Sequence, residues 1–370
     1  MGDVIQNTLY LMTPCTFVVR DHLTLQVEVP VFPPELAAEE RTRDAATHWR
    51  KLSLPIHHLE SICTFGPRIT ISAPALDLCW EHGVAVNYLS DGGYLQARVT
   101  GIADTSVSLR RAHFRVADQP AKCAVIARQI IAGKIQNSRN SLLRAARETE
   151  DAIEQASLGV VIEAMARQLF ELGRIGPDEL ARAGALDALR GSEGLAAQLY
   201  FGVFSFTLKQ QRESFAFLSR SRRPPRDRIN CLLSFLYALV RHDCLAALTA
   251  VGLDPFVGFL HAERPNRPAL ALDLMEEFRP WLADRLAITL INRRQLGPEH
   301  FRLREGGAVE FADAGRRLAI TAYQERKKET VQHPLLDQNL RIGQMPFIQA
   351  RILARHLRGD LPEYLPLIPK

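Results

Sequence analysis

The 370-residue chain reads as α+β, a small N-terminal β domain followed by a larger all-α domain. Three observations predict this. Short β-type runs fill residues 1 to about 95. From about residue 111 the apolar spacing changes to a helical period and keeps it. The length suits about two domains of ~150 residues each. The boundaries fall at 1–95 for the β domain, 96–112 for a linker and 113–370 for the helical domain, which carries every candidate for chemistry.

The elements follow in order. Thr16 to Arg20 and Leu23 to Val29 flank Asp21-His22, a tight turn, and the second run alternates apolar and polar residues as a half-buried strand does. Pro30 to Leu52 is rich in proline and charge and reads as an exposed excursion. Ser61 to Phe65, Ile69 to Ile71 and Val84 to Leu89 are further strands. Pro74 to Gly83 is a short helix closed by its glycine. Ser90-Asp91-Gly92-Gly93 makes a turn before Tyr94 to Val99. Helical spacing then covers Gln119 to Ala132, Ser138 to Gly159, Glu163 to Gly173, Gly194 to Leu208, Arg228 to Gly252 and Asp284 to Ile291. Gly306-Gly307 joins a small hairpin, and the tail from Leu361 is irregular. No repeat of fixed period is present.

Composition narrows the function. Apolar residues at 47% and charged residues at 24% are ordinary for a soluble globular protein. A net charge of +5 and a pI near 9.0 suit a nucleic-acid partner without demanding one. None of the six cysteines forms a Cys-x-x-Cys pair, which disfavours a zinc ribbon or a thioredoxin-type site. They read as buried reduced thiols, hence a reducing compartment. No secretory leader and no apolar run of ~18 residues is evident, so a cytoplasmic protein without a membrane span is expected. Phosphate-binding Gly-x-x-x-x-Gly-Lys, Gly-x-Ser-x-Gly and His-Glu-x-x-His motifs are all missing, so a P-loop nucleotide hydrolase, a serine hydrolase and a zincin are unsupported.

Oxygen and imidazole donors stand in three separate segments. Glu193 follows Gly191-Ser192 and precedes Gly194 and two alanines, which leave the backbone thin beside its carboxylate. Its ordinary reading is a first-turn acid behind a Ser192 N-cap. His261 ends the apolar stretch Phe256 to Leu260, and its ordinary reading is a hydrogen-bonded core histidine. Asp273, Glu276 and Glu277 share adjoining faces of a half-apolar helix, where like charges repel unless a cation lies between them. Their ordinary reading is a solvated face. Such a donor set suits Mn²⁺ or Mg²⁺ better than Zn²⁺. Between these segments, Ser219 to Asn230 holds five arginines, a solvated loop or a grip for phosphates. Arg326-Lys327-Lys328 adds a third basic cluster.

Taken in order, these segments resemble the CRISPR-associated integrase of spacer acquisition, the universal adaptation endonuclease. The stretches that carry the resemblance are Gly191-Ser192-Glu193-Gly194, Arg222 to Asn230 with Leu232-Leu233-Ser234-Phe235, Gly252-Leu253-Asp254-Pro255, Gly258-Phe259-Leu260-His261 and Leu272 to Pro280. Leu54 to Tyr94 is similar to the family's β domain. The Arg-Pro-Pro stretch and the length resemble members serving type I systems, subtype C.

The resemblance implies a metal-dependent DNA integrase and endonuclease, in which the 3′-hydroxyl of a short fragment attacks a phosphodiester of the repeat array. It implies Glu193, His261 and Glu276 as ligands of Mg²⁺ or Mn²⁺, with Asp273 beside them in the catalytic set. Arg222, Arg223 and Arg226 would grip double-stranded DNA, both fragment and repeat. It further implies a homodimer and a small ferredoxin-like adaptation partner that bridges two dimers; the short strands of the N-terminal domain, with more apolar face than one thin sheet covers, suggest that this domain joins the two copies. Two other readings stand beside it: a structure-specific DNA repair nuclease, and a catalytically silent helical DNA-binding scaffold.

Overall fold

Alternation dictates the N-terminal part. Along Thr24–Val31 the side chains of Leu25 and Val27 are buried while their neighbours are partly exposed. The computed structural model describes residues 8–33, 36, 40–59, 61–66, 68–89, 95–101 and 107–369. Its contacts divide the chain after Asp104 into two compact units.

The first unit holds β1 (Thr8–Leu11), β2 (Phe17–Asp21), β3 (Thr24–Val31), β4 (His48–Pro55), β5 (Ser61–Phe65), β6 (Thr70–Ile71), α1 (Ala73–Glu81), β7 (Ala85–Leu89) and β8 (Leu95–Val99). One sheet runs β1-β5-β7-β8 and the other β4-β3-β2-β6. Val18, Leu25 and Val27 of the second sheet, Ile62 and Val86 of the first, and Leu78 of α1 form one core. The β2–β3 turn is the expected one, with His22 in the left-handed region at φ 53°. Ser72 caps α1 by accepting from the Ala75 N–H, and Gly83 at φ 69° follows its end.

Two expectations change here. The excursion at 30–52 includes most of β4, which pairs with β3 over eight positions from Thr24–Pro55 to Val31–His48. Its side chains are mostly exposed, so the strand has no buried alternation to reveal it. The joint expected at 96–112 is also narrower, because β8 pairs with β7 and a helix begins at Val107. The turn expected at Ser90-Asp91-Gly92-Gly93 lies outside the described residues.

The second unit is mainly helical: α2 (Val107–Ala117), α3 (Pro120–Glu148), α4 (Ala152–Arg174), α5 (Pro177–Leu180), α6 (Ala185–Gly202), α7 (Arg228–Val251), α8 (Ala269–Met275), α9 (Arg285–Asn292), α10 (Asp313–Lys328) and α11 (Met345–Arg358). Two small hairpins interrupt it, β9 (Phe301–Leu303) with β10 (Val309–Phe311), as expected around Gly306-Gly307, and β11 (Thr330–His333) with β12 (Gln338–Arg341). The unit remains predominantly helical around these two hairpins. Asp227 caps α7 through the Asn230 N–H at 2.7 Å, and Gly252 at φ 92° ends it. α7 is long and apolar enough to cross a membrane, but 72% of its most apolar window is buried among the other helices. It is the central core helix.

α3 runs unbroken where two helices were expected. Gly133 does not break it; the residue makes room for Pro366, whose Cβ would stand 2.5 Å from an added Cβ. The break comes later, before Asp151, which caps α4. Together α3 and α7 enclose α8 and the π-helical turn Arg279–Asp284 that follows it. Residues 361–369 form no helix or strand, as expected of the tail.

Candidate active site

Five side chains from four segments meet beneath α3. Glu193 projects from the middle of α6, eight residues after its start, so Ser192 is an interior helical residue and not its N-cap. His261 lies in the loop after α7. Asp273 is buried on α8, Glu276 closes that helix, and Lys134 reaches down from α3.

The loop before His261 is held from three sides. The His113 ring of α2 bonds the Val257 carbonyl at 2.9 Å through Nε2. The Arg190 guanidinium of α6, three residues from Glu193, donates to the Leu260 carbonyl at 2.8 Å. Asp273 does most. Its Oδ2 accepts from the Phe259 and Leu260 N–H groups at 2.6 and 3.0 Å. Its Oδ1 accepts from the His261 N–H at 2.9 Å and meets the His261 Nδ1 at 2.7 Å. Gly258 is obligatory here, since a Cβ would stand 2.8 Å from Asp273 Oδ2 and 2.9 Å from the Ala269 backbone.

This geometry assigns the imidazole. Asp273 accepts from three backbone N–H groups, so it accepts the ring Nδ1–H as well, which leaves Nε2 facing the cleft. Nε2 is 3.8 Å from Glu276 Oε1. Asp273, expected within the catalytic set, has both oxygens occupied by these donors. It orients His261 and does not face the cleft.

Glu276 is the electrostatic centre. Arg279 Nη1 lies 2.9 Å from its Oε1, and Lys134 Nζ lies 2.7 Å from its Oε2. Burial alone would push the Glu276 carboxyl up; Arg279 first, then Lys134 and His261, outweigh it and hold it at about 2. Lys134 Nζ also contacts Glu193 Oε1 directly. Behind Arg279 stands Tyr237, with the Arg279 and Arg220 guanidinium carbons 5.0 and 5.3 Å from its ring centre. Its hydroxyl donates to the buried Asp284 at 2.7 Å.

The donor set fits a divalent cation in kind: two carboxylates and one imidazole. Glu276 Oε2 is buried, and the Lys134 ammonium stands 2.7 Å from it. As they stand, no three acidic, histidine or cysteine side chains among the described residues are close enough to share an ion. The Lys134 ammonium lies between two of them.

The arginine loop separates by role. Arg228 donates to the Ser214 carbonyl at 2.6 Å, and Arg220 donates to Asn230 Oδ1 at 2.5 Å and Ser234 Oγ at 3.0 Å, so both fasten the loop. Arg222, Arg223 and Arg226 are exposed. Arg222 borders a narrow cleft with Lys134, Ala197, Tyr237 and Arg279. A second, wider groove of about 1630 Å³ runs along the C-terminal half of α3, lined in part by Arg144, Arg147, Arg285, Arg293 and Arg326.

Sequence reading missed Lys134 and Arg279. Each left a trace: Lys134 is a lone cation within Ile130-Ile131-Ala132-Gly133-Lys134-Ile135, and Arg279 follows Glu276 by three helical positions. It also missed what lies under the site. The Glu277 carboxyl is pushed up to about 7 by burial, against hydrogen bonds from the Tyr364 hydroxyl at 2.6 Å and the Leu367 N–H at 2.5 Å.

A two-sheet β unit followed by a helical unit with a carboxylate–imidazole cluster on its core helices defines the class. The chain belongs to the CRISPR associated protein Cas1 family, whose model matches residues 9–325. It is 44% identical over 365 residues to a CRISPR-associated endonuclease Cas1 of Moorella thermoacetica, covering 99% of both chains. A casposase bound to integration product shares the fold at TM-score 0.79 and 21% identity, with 98% of this chain and 93% of that one covered. So does a chain of a Cas6-RT-Cas1–Cas2 complex at TM-score 0.75 and 22% identity, covering all of this chain and 37% of that one.

Proposed function

We propose that the Glu193–His261–Glu276 cluster is the active site of a DNA endonuclease and integrase that joins the 3′ end of a short DNA fragment to a CRISPR repeat. The family and the relative's name as an endonuclease support the enzyme class. The convergence of Lys134, Glu193, His261 and Glu276 from three helices and a pinned loop is the observation that carries the reading. A silent scaffold has no need to bury that much charge.

Glu193, Glu276 and His261 Nε2 would hold Mg²⁺ or Mn²⁺. Bound there, the cation would supply charge neutralisation at the phosphoryl group. The chain's own residues do the rest. Asp273 keeps Nδ1 protonated and the ring in one orientation. Arg279 balances the Glu276 charge, so the buried carboxylate stays ionised. Arg222 beside the cleft, with Arg223 and Arg226, gives phosphates their electrostatic hold, and the groove along α3 extends it. In strand transfer the fragment's 3′-oxygen forms the new bond to phosphorus while the bond to the repeat strand's 3′-oxygen breaks. Water in place of the 3′-hydroxyl gives cleavage.

The finer assignments are ours as well. The Arg222-to-Pro225 stretch supports a type I, subtype C member. The similarity to a chain of a Cas1–Cas2 assembly supports a small adaptation partner, here expected to be ferredoxin-like. Six free cysteines, five of them buried, support a cytoplasmic protein.

The test is His261→Ala in a strand-transfer assay with free 3′ ends, in Mg²⁺ and in Mn²⁺, with and without the small partner. The rate should fall at least ~10²-fold for transfer and for cleavage, while DNA affinity stays nearly unchanged. Near-normal transfer would make His261 a core histidine and end the reading.

A further inference from the structure

The cleft already contains a cation of its own. Lys134 is buried on α3, and its ammonium touches Glu193 Oε1 and lies 2.7 Å from Glu276 Oε2. Those are two of the three side chains assigned above to the divalent ion. Arg279 pairs with the other oxygen of Glu276, and Lys134 is the ion-pair partner at Oε2 among the described residues. One ammonium and one divalent ion cannot both bond the same two oxygens.

We propose that Lys134 is a built-in stand-in for the divalent cation: it holds Glu193 and Glu276 together in the metal-free protein and must withdraw when the ion binds. The inference rests on the metal-site reading and deepens it. Three observations carry it. First, two carboxylates brought face to face in a poorly solvated cleft repel strongly unless a cation lies between them, and no other described side chain bridges the two. Second, lysine suits a mobile role. Its charge is compact and its four-carbon stem flexible, whereas Arg279 is fully enclosed against Tyr237 and Met275 and cannot move as freely. Third, there is somewhere to go. Lys134 borders the narrow cleft of about 20 Å³, room for an ammonium, walled by Ser138, Ala197, Tyr200 and Tyr237 with Arg222 at its edge. A DNA phosphate held by Arg222 outside that edge would receive the displaced ammonium.

Two consequences follow. Lys134 weakens the site's hold on free metal ions. It also couples ion and DNA binding, because a phosphate that attracts the ammonium frees the carboxylates, and by linkage the ion strengthens DNA binding equally.

The experiment is calorimetric titration of the full chain with MnCl₂, alone and with a short duplex bearing a 3′ overhang. Wild type, Lys134→Met, Lys134→Gln and Glu276→Gln are compared, with metal-free melting curves for each. Lys134→Met should bind Mn²⁺ at least about tenfold tighter than wild type and melt at lower temperature without metal. In wild type DNA should tighten Mn²⁺ binding, and in Lys134→Met that gain should shrink. Lys134→Gln keeps most of the length and a polar end, and gives the same reading if the Met variant does not fold. Unchanged or weaker Mn²⁺ binding in the folded Lys134 variants, with binding still lost in Glu276→Gln, would overturn the stand-in role alone. Equal Mn²⁺ binding by wild type and Glu276→Gln would instead overturn the metal site beneath it.

Discussion

Asp273 satisfies three backbone N–H groups and one ring N–H with a single buried carboxylate. Losing one negative charge there affects both ends of the arrangement. Asp273→Asn keeps the shape but offers an amide that must donate where the carboxylate accepted, so the His261 ring loses its fixed orientation. We expect Mn²⁺ affinity to fall about 10–100-fold in that variant, the usual cost of removing a carboxylate behind a ligating histidine. Calorimetry reads this directly; affinity within twofold of wild type would mean that the loop holds His261 without help. At this scale the sequence was informative about types and silent about partners. The acidic segment, the histidine and their likeness to one family pointed to Glu193, His261 and Glu276. Nothing in the spacing showed that Asp273 faces the loop and Glu276 the cleft, because three positions along a short helix leave both on adjoining faces. Lys134 was hidden because a solitary lysine in an apolar helix reads as a residue that snorkels to solvent.

Helices and turns carry a different lesson. Arg279 reaches back to Glu276 at ordinary i,i+3 spacing, and Asp284, at the end of the π-helical turn Arg279–Asp284, meets the Tyr237 hydroxyl. Burial pushes the Asp284 carboxyl up from 3.8 to about 6, against hydrogen bonds from Tyr237 and Tyr200. A carboxyl with a raised folded pKa favours the folded state most when both states are protonated. Its contribution is present below about pH 4, is lost as pH rises to about 6, and changes no further above that. Two units correspond to about 3 kcal/mol. Stability measured by denaturant unfolding from pH 4 to 7 should fall more steeply in wild type than in Asp284→Asn, where Glu277 alone of the two raised carboxyls still titrates; parallel curves would mean Asp284 ionises normally. Long periodic helices such as α7 were legible, with cap and closing glycine in place. β4 was not, since its register comes from backbone pairing to β3 and not from buried side chains. The start of α6 was also missed, because Gly184, Gly191 and Gly194 read as punctuation in a segment that tertiary contacts keep helical.

At the scale of the molecule, the N-terminal unit leaves Leu23, Leu52 and Trp80 exposed, and its sheets have open edges. We expect that unit to join two copies about a two-fold axis, the commonest arrangement of an oligomer. Light scattering of the full chain should give twice the 41.5 kDa mass at micromolar concentration. A single-chain mass there would refute it. The two-part α+β plan was readable from the change of period alone. The grouping of five side chains was not, since it depends on contacts spanning more than a hundred residues.

One of those contacts has a consequence for how the chain reaches its native state. The Asn137 amide donates to the carbonyls of both Glu277 and Leu367, at 2.8 Å each. Lys134 is one helical turn away. The floor of the cleft therefore joins positions 230 residues apart. During synthesis α3 emerges long before residue 367 exists, and its buried polar face must wait for that distant segment. Closing so long a span late and against its entropy makes folding slow. Until it closes, the chain has the acidic side chains of α6 and α8 but no finished cleft around them.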